Sequence, residues 1–195
     1  MDTLVYPIGN KLYINLTNAC TNACEFCIRN GREGMGSGSL WLEKEHSTEE
    51  YLALMPQRGE YAEVVFCGFG EPILRLDTLL ALGTELKNRG IPVRLNTNGQ
   101  GNLIYQRNIA PALSAAVDTV SISLNAPTAE EYDALCHSSF GTAAFEGLLS
   151  FAEECKRAGM RTVLSVVDTI GEAKIAACRK ITDRLGVELR VRVFE

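Results

Sequence analysis

Three cysteines, Cys20, Cys24 and Cys27, fall within eight residues, spaced CxxxCxxC, at the end of an apolar strand-like run, Leu12 to Leu16. A strand that stops in a cysteine-rich loop can wrap that loop around one metal centre. Whatever fold the chain adopts must therefore leave this loop at a strand end. Three thiolates leave one iron of a four-iron cube without a protein ligand, since the cube takes four. An open coordination position is what a catalytic metal needs. Zinc is the rival occupant, but structural zinc usually takes four protein ligands from paired knuckles. No second CxxC and no HxxxH lies elsewhere in the chain. Incidental core cysteines scatter over buried faces and do not cluster on a loop.

The 195 residues suffice for one domain, 1–195, with a substantial core. No run of about 18 apolar residues predicts a membrane span. The N-terminus, Met1-Asp2-Thr3-Leu4, lacks the regions of a signal peptide. A cytoplasmic, reducing location is expected. Seven cysteines, an odd number unevenly spaced, read as metal ligands plus core thiols and not as a disulfide framework. The net charge of −5 argues against broad nucleic-acid binding, which needs a basic surface.

Residues 4 to 17 read as a short hairpin turning at Pro7-Ile8-Gly9-Asn10. After Cys27 comes a glycine-rich loop, Gly31 to Ser39, and then Leu40-Trp41-Leu42 with the only tryptophan. That loop with Trp41 as its anchor reads either as a lid or as a surface loop with the ring tucked inward. Ser47-Thr48-Glu49-Glu50 is a capping box that opens a helix ending near Pro56 to Gly59. Further strands are expected at Glu63–Cys67, Val93–Thr97, Val117–Asn125, Arg161–Val167 and Val187–Phe194. Helices stand between them: one capped by Asp77 and closed by Gly90, one broken at Pro111, one opened by a Thr128/Glu131 box, one stopping at Gly159, and one ending near Leu185. Strands alternating with helices give an α/β fold with a parallel sheet and right-handed crossovers.

Parallel strands buried on both faces usually read as continuous apolar runs. Four of these strands alternate instead. Tyr13, Asn15 and Thr17 interleave with Leu12, Ile14 and Leu16. Arg94, Asn96 and Asn98 interleave with Val93 and Leu95. Thr119, Ser121, Ser123 and Asn125 interleave with Val120, Ile122 and Leu124. Arg190 and Arg192 interleave with Leu189, Val191 and Val193. The apolar faces must meet amphipathic helices, so the polar faces predict a polar cavity inside the sheet. Arg190 and Arg192 then either contact an anionic ligand or pair with internal acids.

CxxxCxxC with Phe26 before the third cysteine resembles the signature of the radical S-adenosylmethionine (radical SAM) superfamily. Gly68-Phe69-Gly70-Glu71-Pro72 resembles that family's GGEP motif, with Phe69 in place of a glycine. The resemblance implies a (β/α)6 partial, open barrel with outer helices, and a 4Fe–4S cluster on Cys20, Cys24 and Cys27. It also implies S-adenosyl-L-methionine on the fourth iron, cleaved to a 5′-deoxyadenosyl radical that takes hydrogen from a substrate. It places cofactor contacts at Phe26, Gly68, Phe69, Gly70, Glu71, Thr97, Asn98, Ser123 and Asn125. Arg94, Asn96, Arg190, Arg192 and Trp41 are the substrate candidates. Ser165 and Asp168 are weaker ones, and Asp168 or Thr169 also reads as a helix cap. Cys67 reads as core or as a redox or hydrogen-atom donor. Cys136, Cys155 and Cys178 read as core, and His46 and His137 as surface or helix-end residues.

Phe66-Cys67-Gly68-Phe69-Gly70-Glu71-Pro72, Ser123-Leu124-Asn125-Ala126 and Arg190-Val191-Arg192 look most like the short TatD-associated radical SAM proteins, which lack an auxiliary-cluster domain. That resemblance implies a link to a TatD-type hydrolase and gives no substrate. The compact chain and polar lumen favour a small polar substrate, an anionic one if the arginines contact it, and the radical SAM resemblance implies a flavodoxin or ferredoxin as electron donor. Glycyl-radical activating enzymes and 7-carboxy-7-deazaguanine synthase share the core. An activase acting on a protein partner therefore stays open, as does a non-catalytic iron–sulfur or zinc protein.

Overall fold

The computed structural model describes residues 2–31, 34–35 and 38–193. Strands β1 (Val5–Ile8) and β2 (Lys11–Ile14) form the expected hairpin, and β3 (Gly34–Met35) and β4 (Gly38–Ser39) a small separate one. Then come α1 (Thr48–Leu52), β5 (Glu63–Phe66), α2 (Leu76–Asn88), β6 (Val93–Thr97), α3 (Gly101–Tyr105), α4 (Ala110–Ala116) and β7 (Thr119–Ser123). The chain continues through α5 (Ala129–Cys136), α6 (Ala143–Arg157), β8 (Arg161–Val167), α7 (Glu172–Leu185) and β9 (Glu188–Arg192). The main sheet runs β1-β2-β5-β6-β7-β8-β9, antiparallel only at β1–β2. Six parallel strands in sequence order, with helices between them, are the expected open barrel. No helix among the described residues is long and apolar enough to cross a membrane.

The sheet is asymmetric. Leu12, Ile14, Val64, Phe66, Val93, Leu95, Val120, Ile122, Leu164 and Val166 are buried in one core with Leu79, Leu82 and Leu86 of α2 and Leu148 and Phe151 of α6. Burying each such side chain contributes roughly 1.5–3 kcal/mol, and this outer layer carries the fold. The opposite face follows the register Tyr13–Val65–Arg94, Asn96–Ser121–Val163 and Ser123–Ser165–Arg190. Its polar members open on a cavity, as the alternation predicts.

Local capping departs from expectation at several points. The Ser47 box forms in full, but α1 ends at Leu52. Asp77 caps nothing: a 3-10 turn, Pro72–Arg75, precedes α2, and Glu71 is its N-cap. Pro111 starts α4 and does not break a helix, because proline lacks only an N–H that the first turn leaves unpaired. At α5 only Thr128 caps, while the Glu131 carboxylate turns to Lys174. Asp168 lies in a 3-10 turn, Asp168–Ile170, and α7 starts at Glu172 with Gly171 at its N-cap position. Four residues of the expected glycine-rich loop, 32–33 and 36–37, lie outside the described residues, as does Phe194.

His137 ends α5 in a left-handed conformation, as a helix-end residue. His46 is not on the surface. Its Nε2 lies 2.8 Å from Asp2 Oδ2 and its Nδ1 3.0 Å from Glu50 Oε1, tying the N-terminal segment to α1. The bond to Asp2, then that to Glu50, raises its pKa. The fold therefore favours protonated His46. That stabilisation is complete below about pH 6.5, the ordinary imidazole value, and is lost as the pH climbs through the raised folded value. Both carboxylates have lowered pKa values and stay ionised across this window. The difference in thermal midpoint between the wild type and His46→Gln should narrow from about pH 6 to about pH 9. A constant difference would contradict the ion-pair role.

Candidate active site

Cys20, Cys24 and Cys27 follow β2 and face one cavity of about 600 Å³ at the carboxyl ends of the parallel strands. All three are free thiols of intermediate exposure. Burial pushes the Cys20 thiol up to about 11. Contact with Cys136, then burial, raises Cys24 as well. Loading a metal here must release these protons. Among the described residues no three His, Cys, Asp or Glu side chains gather closely enough for a single metal ion. Three thiols spread along one cavity wall fit a larger group, such as an iron–sulfur cube, better than one zinc.

The cysteine loop has little apolar surface and is held by hydrogen bonds. Arg29 donates to the carbonyls of Asn18 (3.3 Å) and Asn22 (3.1 Å). The Asn18 amide makes both bonds to the Leu42 backbone, at 2.8 and 3.0 Å. Carbonyls in the last turn of α5, which a helix leaves unpaired, accept from Ala23 and Glu25 N–H. A buried network finishes the anchoring. Asn98 Nδ2 donates to Thr21 Oγ1 (2.8 Å), and Thr21 donates to Gln100 Oε1 (2.6 Å). Gln100 Nε2 reaches Asn22 Oδ1 (2.7 Å), and Asn22 Nδ2 reaches the Tyr132 hydroxyl (3.0 Å). Sequence reasoning missed Asn22, Gln100 and Tyr132. The one available signal was Gln100 directly after the strand-end residues Thr97-Asn98-Gly99.

The Gly68–Glu71 turn meets this loop backbone to backbone. A Cβ on Gly70 would lie 2.3 Å from the Thr17 carbonyl oxygen, and one on Gly68 would lie 2.0 Å from Asn15 Oδ1. Both glycines also line the cavity. Their first requirement is thus close approach to the cysteine loop, beyond any approach to a ligand. Glu71 is buried beneath them. Its carboxylate accepts from Thr97 Oγ1 (2.8 Å), Asn98 N (2.7 Å) and Ile73 N (3.1 Å). Burial, opposed by these bonds, pushes its pKa up to about 7. Glu71 lines the cavity, but its oxygens already serve as a clamp between strand ends.

The Phe69 side chain turns away from the cavity and packs with Tyr6 and Leu40. Trp41 lies edge-on against it, ring centroids 5.0 Å apart, with 41% of its surface exposed. Trp41 is not among the cavity-lining residues, so the structure does not support it as a substrate contact. Phe69 itself packs in a small cluster with Tyr6, Leu40 and Tyr13, separate from the main core. Phe69 can offer the site only its backbone.

The remaining candidates converge. Phe26, Arg94, Asn96, Thr97, Asn98, Ser123, Asn125, Arg190 and Arg192 all line the cavity. Ser165 does too, whereas Asp168 does not. Asn125 is held at φ 58°, is buried, and has Oδ1 without a partner. The Oδ1 of Asn96 and the Nε of Arg94 are likewise buried and unpartnered. A buried polar atom left unpaired costs about 1–3 kcal/mol, so these atoms await a polar ligand. A bulky, multiply polar molecule such as S-adenosylmethionine fits that demand. Cys67, read as core or as a redox or hydrogen-atom donor, also lines the cavity, with Asn96 bonded to its thiol. Cys136, Cys155 and Cys178 are core residues as expected, although Cys136 reaches Asn125 Nδ2 at 3.5 Å.

Tyr132→Phe should test the network. The substitution leaves Asn22 Nδ2 and Gln100 Nε2 short of an acceptor, and should cost about 1–3 kcal/mol in chemical denaturation. Unchanged stability would mean that water replaces the hydroxyl and that the network is not what holds the loop.

A profile of the Radical SAM superfamily matches residues 14–173. A probable GTP 3′,8-cyclase of Methanosarcina acetivorans is 28% identical over 167 residues, 82% of this chain and 46% of the relative. The GTP 3′,8-cyclase of Aquifex aeolicus is 25% identical over 192 residues, 97% of this chain and 58% of the relative. The chain thus spans about half the length of these curated relatives. Among solved structures, SuiB of Streptococcus suis bound to S-adenosylmethionine superposes with a TM-score of 0.73 at 15% identity, over 96% of this chain and 41% of that one. The likeness to SuiB is one of fold. The profile match extends from β2 to the start of α7 and takes in all three clustered cysteines, and on that ground the chain belongs to the radical SAM superfamily.

Proposed function

We propose that residues 1–195 act as one radical SAM core domain that abstracts hydrogen from a small polar or anionic substrate. One observation carries this reading: Cys20, Cys24 and Cys27 open onto the same cavity as the polar sheet face. The family's cofactors are a 4Fe–4S cluster and S-adenosyl-L-methionine, which together supply one-electron cleavage to a 5′-deoxyadenosyl radical. The chain's residues then have separate tasks. The three cysteines hold the cluster. The backbone at Phe26, Gly68, Phe69 and Gly70 lies along the cofactor. Ser123 and Asn125 offer a hydroxyl and an unpartnered amide oxygen to its polar end. Glu71, Thr97 and Asn98 position the loop rather than touch the reacting atoms.

The electron comes from a flavodoxin or ferredoxin, and the site of action is cytoplasmic. The likeness to TatD-associated proteins, carried by Phe66–Pro72, Ser123–Ala126 and Arg190–Arg192, suggests work alongside a TatD-type hydrolase. The GTP 3′,8-cyclases among the relatives suit an anionic substrate. A second reading, action on a protein or peptide, draws on SuiB, whose complex with the precursor peptide SuiA superposes at a TM-score of 0.73. It predicts turnover only with a macromolecular partner.

The test is anaerobic. The protein is reconstituted with iron and sulfide, then given S-adenosylmethionine and dithionite, and 5′-deoxyadenosine is measured by mass spectrometry. The wild type should form it and Cys24→Ala should not. A full cluster without product, with or without cell extract as a source of substrate, would favour electron transfer or a structural metal.

A further inference from the structure

The ionisable groups lining the cavity, thiols and Tyr13 aside, are Arg94, Arg190, Arg192 and Glu71. Three guanidiniums face one carboxylate, and that carboxylate is engaged by Thr97, Asn98 and Ile73. Arg94 is 8% exposed. Its NH2 group lies 3.3 Å from Glu63, but Glu63 also holds Lys11 at 2.8 Å, and the Arg94 Nε has no partner. Arg190 and Arg192 have no carboxylate partner among the described residues. Glu188, the nearest acid on their own strand, is bonded to Arg161. Arg192 is exposed as a residue, yet it lines the cavity within electrostatic reach of Cys67 and Cys24. Burial lowers its pKa, the mark of a cation poorly compensated by its surroundings. Among the described residues, only Arg94 of the three pairs with an acid.

A cationic cluster held partly out of water is costly unless an anion joins it. Guanidinium groups present forked donors that match the oxygens of phosphate and carboxylate. A carboxylate brings one negative charge, and a phosphate monoester brings about 1.5 to 2 at neutral pH. Two guanidiniums without a carboxylate partner among the described residues, beside a third that shares Glu63 with Lys11, match the phosphate better. Next to them, the Asn96 amide bonds the Cys67 thiol and keeps a buried Oδ1 free, an acceptor that a substrate hydroxyl or amine would satisfy.

We infer that Arg94, Arg190 and Arg192 form an oxyanion subsite that seats the phosphate of a small hydroxylated substrate, with Asn96 receiving its neighbouring hydroxyl. The inference rests on reading the lumen as the substrate cavity. It gives the substrate a handle remote from the reacting carbon. Three charged forks would hold that carbon at a fixed distance from the cysteine loop, the kind of positioning on which selective hydrogen removal depends.

The experiment titrates inorganic phosphate, pyrophosphate and acetate by calorimetry, at constant ionic strength, into cluster-loaded enzyme saturated with S-adenosylmethionine and without reductant. Phosphate and pyrophosphate should bind saturably at one site per chain, and acetate about tenfold or more weaker. Arg94→Gln and Arg192→Gln should each weaken phosphate about tenfold or more, the value of one charge-assisted hydrogen bond. Arg192→Lys keeps the charge and the stem but loses the fork. It should fall between, and it keeps the test valid if a glutamine variant misfolds. The inference is overturned if phosphate does not bind saturably, or binds equally to wild type and all three variants. It is also overturned if phosphate binds only when S-adenosylmethionine is left out, which would assign the arginines to the cofactor's own carboxylate. Failure of the radical SAM reading appears separately, as absent S-adenosylmethionine binding in the same cell with phosphate binding intact.

Discussion

The site depends on a contact between two backbones. The turn after β5 passes so close to the cysteine loop that Glu71 N donates to the Ala19 carbonyl at 2.8 Å, and no side chain fits at Gly70. From that contact the connections run around the rim. The Glu71 carboxylate takes the Asn98 N–H from the end of β6, and the Asn98 side chain returns to Thr21 in the cysteine loop. The ends of β5 and β6 and the cysteine loop after β2 are closed into one ring. Such a ring is needed because the loop buries little apolar surface of its own, and loops stay in place by pairing their backbone groups.

The same sheet does two opposed jobs. Its outer face buries aliphatic side chains against helices and carries the stability. Its inner face keeps Ser121, Ser165, Asn96 and Arg94 largely out of water with few protein partners. A closed barrel would fill this space with branched apolar side chains. Leaving it polar costs stability, and that cost is returned when a polar cofactor and substrate supply the missing bonds. Binding and stability are coupled for this reason.

Much of the fold was legible because strands and helices announce themselves by period. Strand β8 runs from Arg161 to Val167 and α7 ends before Gly186, as read from the sequence. The polar inner face was legible too, since a parallel strand packed by apolar layers on both sides has no reason to alternate. The cysteine loop was legible as a motif. What holds it was not: Thr21 meets Gln100, and Asn22 meets Tyr132, across 79 and 110 positions of chain. No periodicity encodes such pairs. Where the rings of Trp41 and Phe69 pack was not legible for a related reason, because whether an aromatic ring faces a cavity or packs behind it depends on the path of the chain between elements. His46 read as a surface or helix-end residue; it does stand just before the N-cap of α1, but its burial was not legible because its partner Asp2 lies 44 positions away.

The central claim is that the three clustered cysteines hold a four-iron cluster with one iron open to S-adenosylmethionine. Electron paramagnetic resonance of the reconstituted, dithionite-reduced protein tests it most directly. The account predicts about four irons per chain and a reduced-cluster signal whose g values change when S-adenosylmethionine is added. A four-iron signal indifferent to S-adenosylmethionine would contradict it, as would a protein that takes up zinc and no iron.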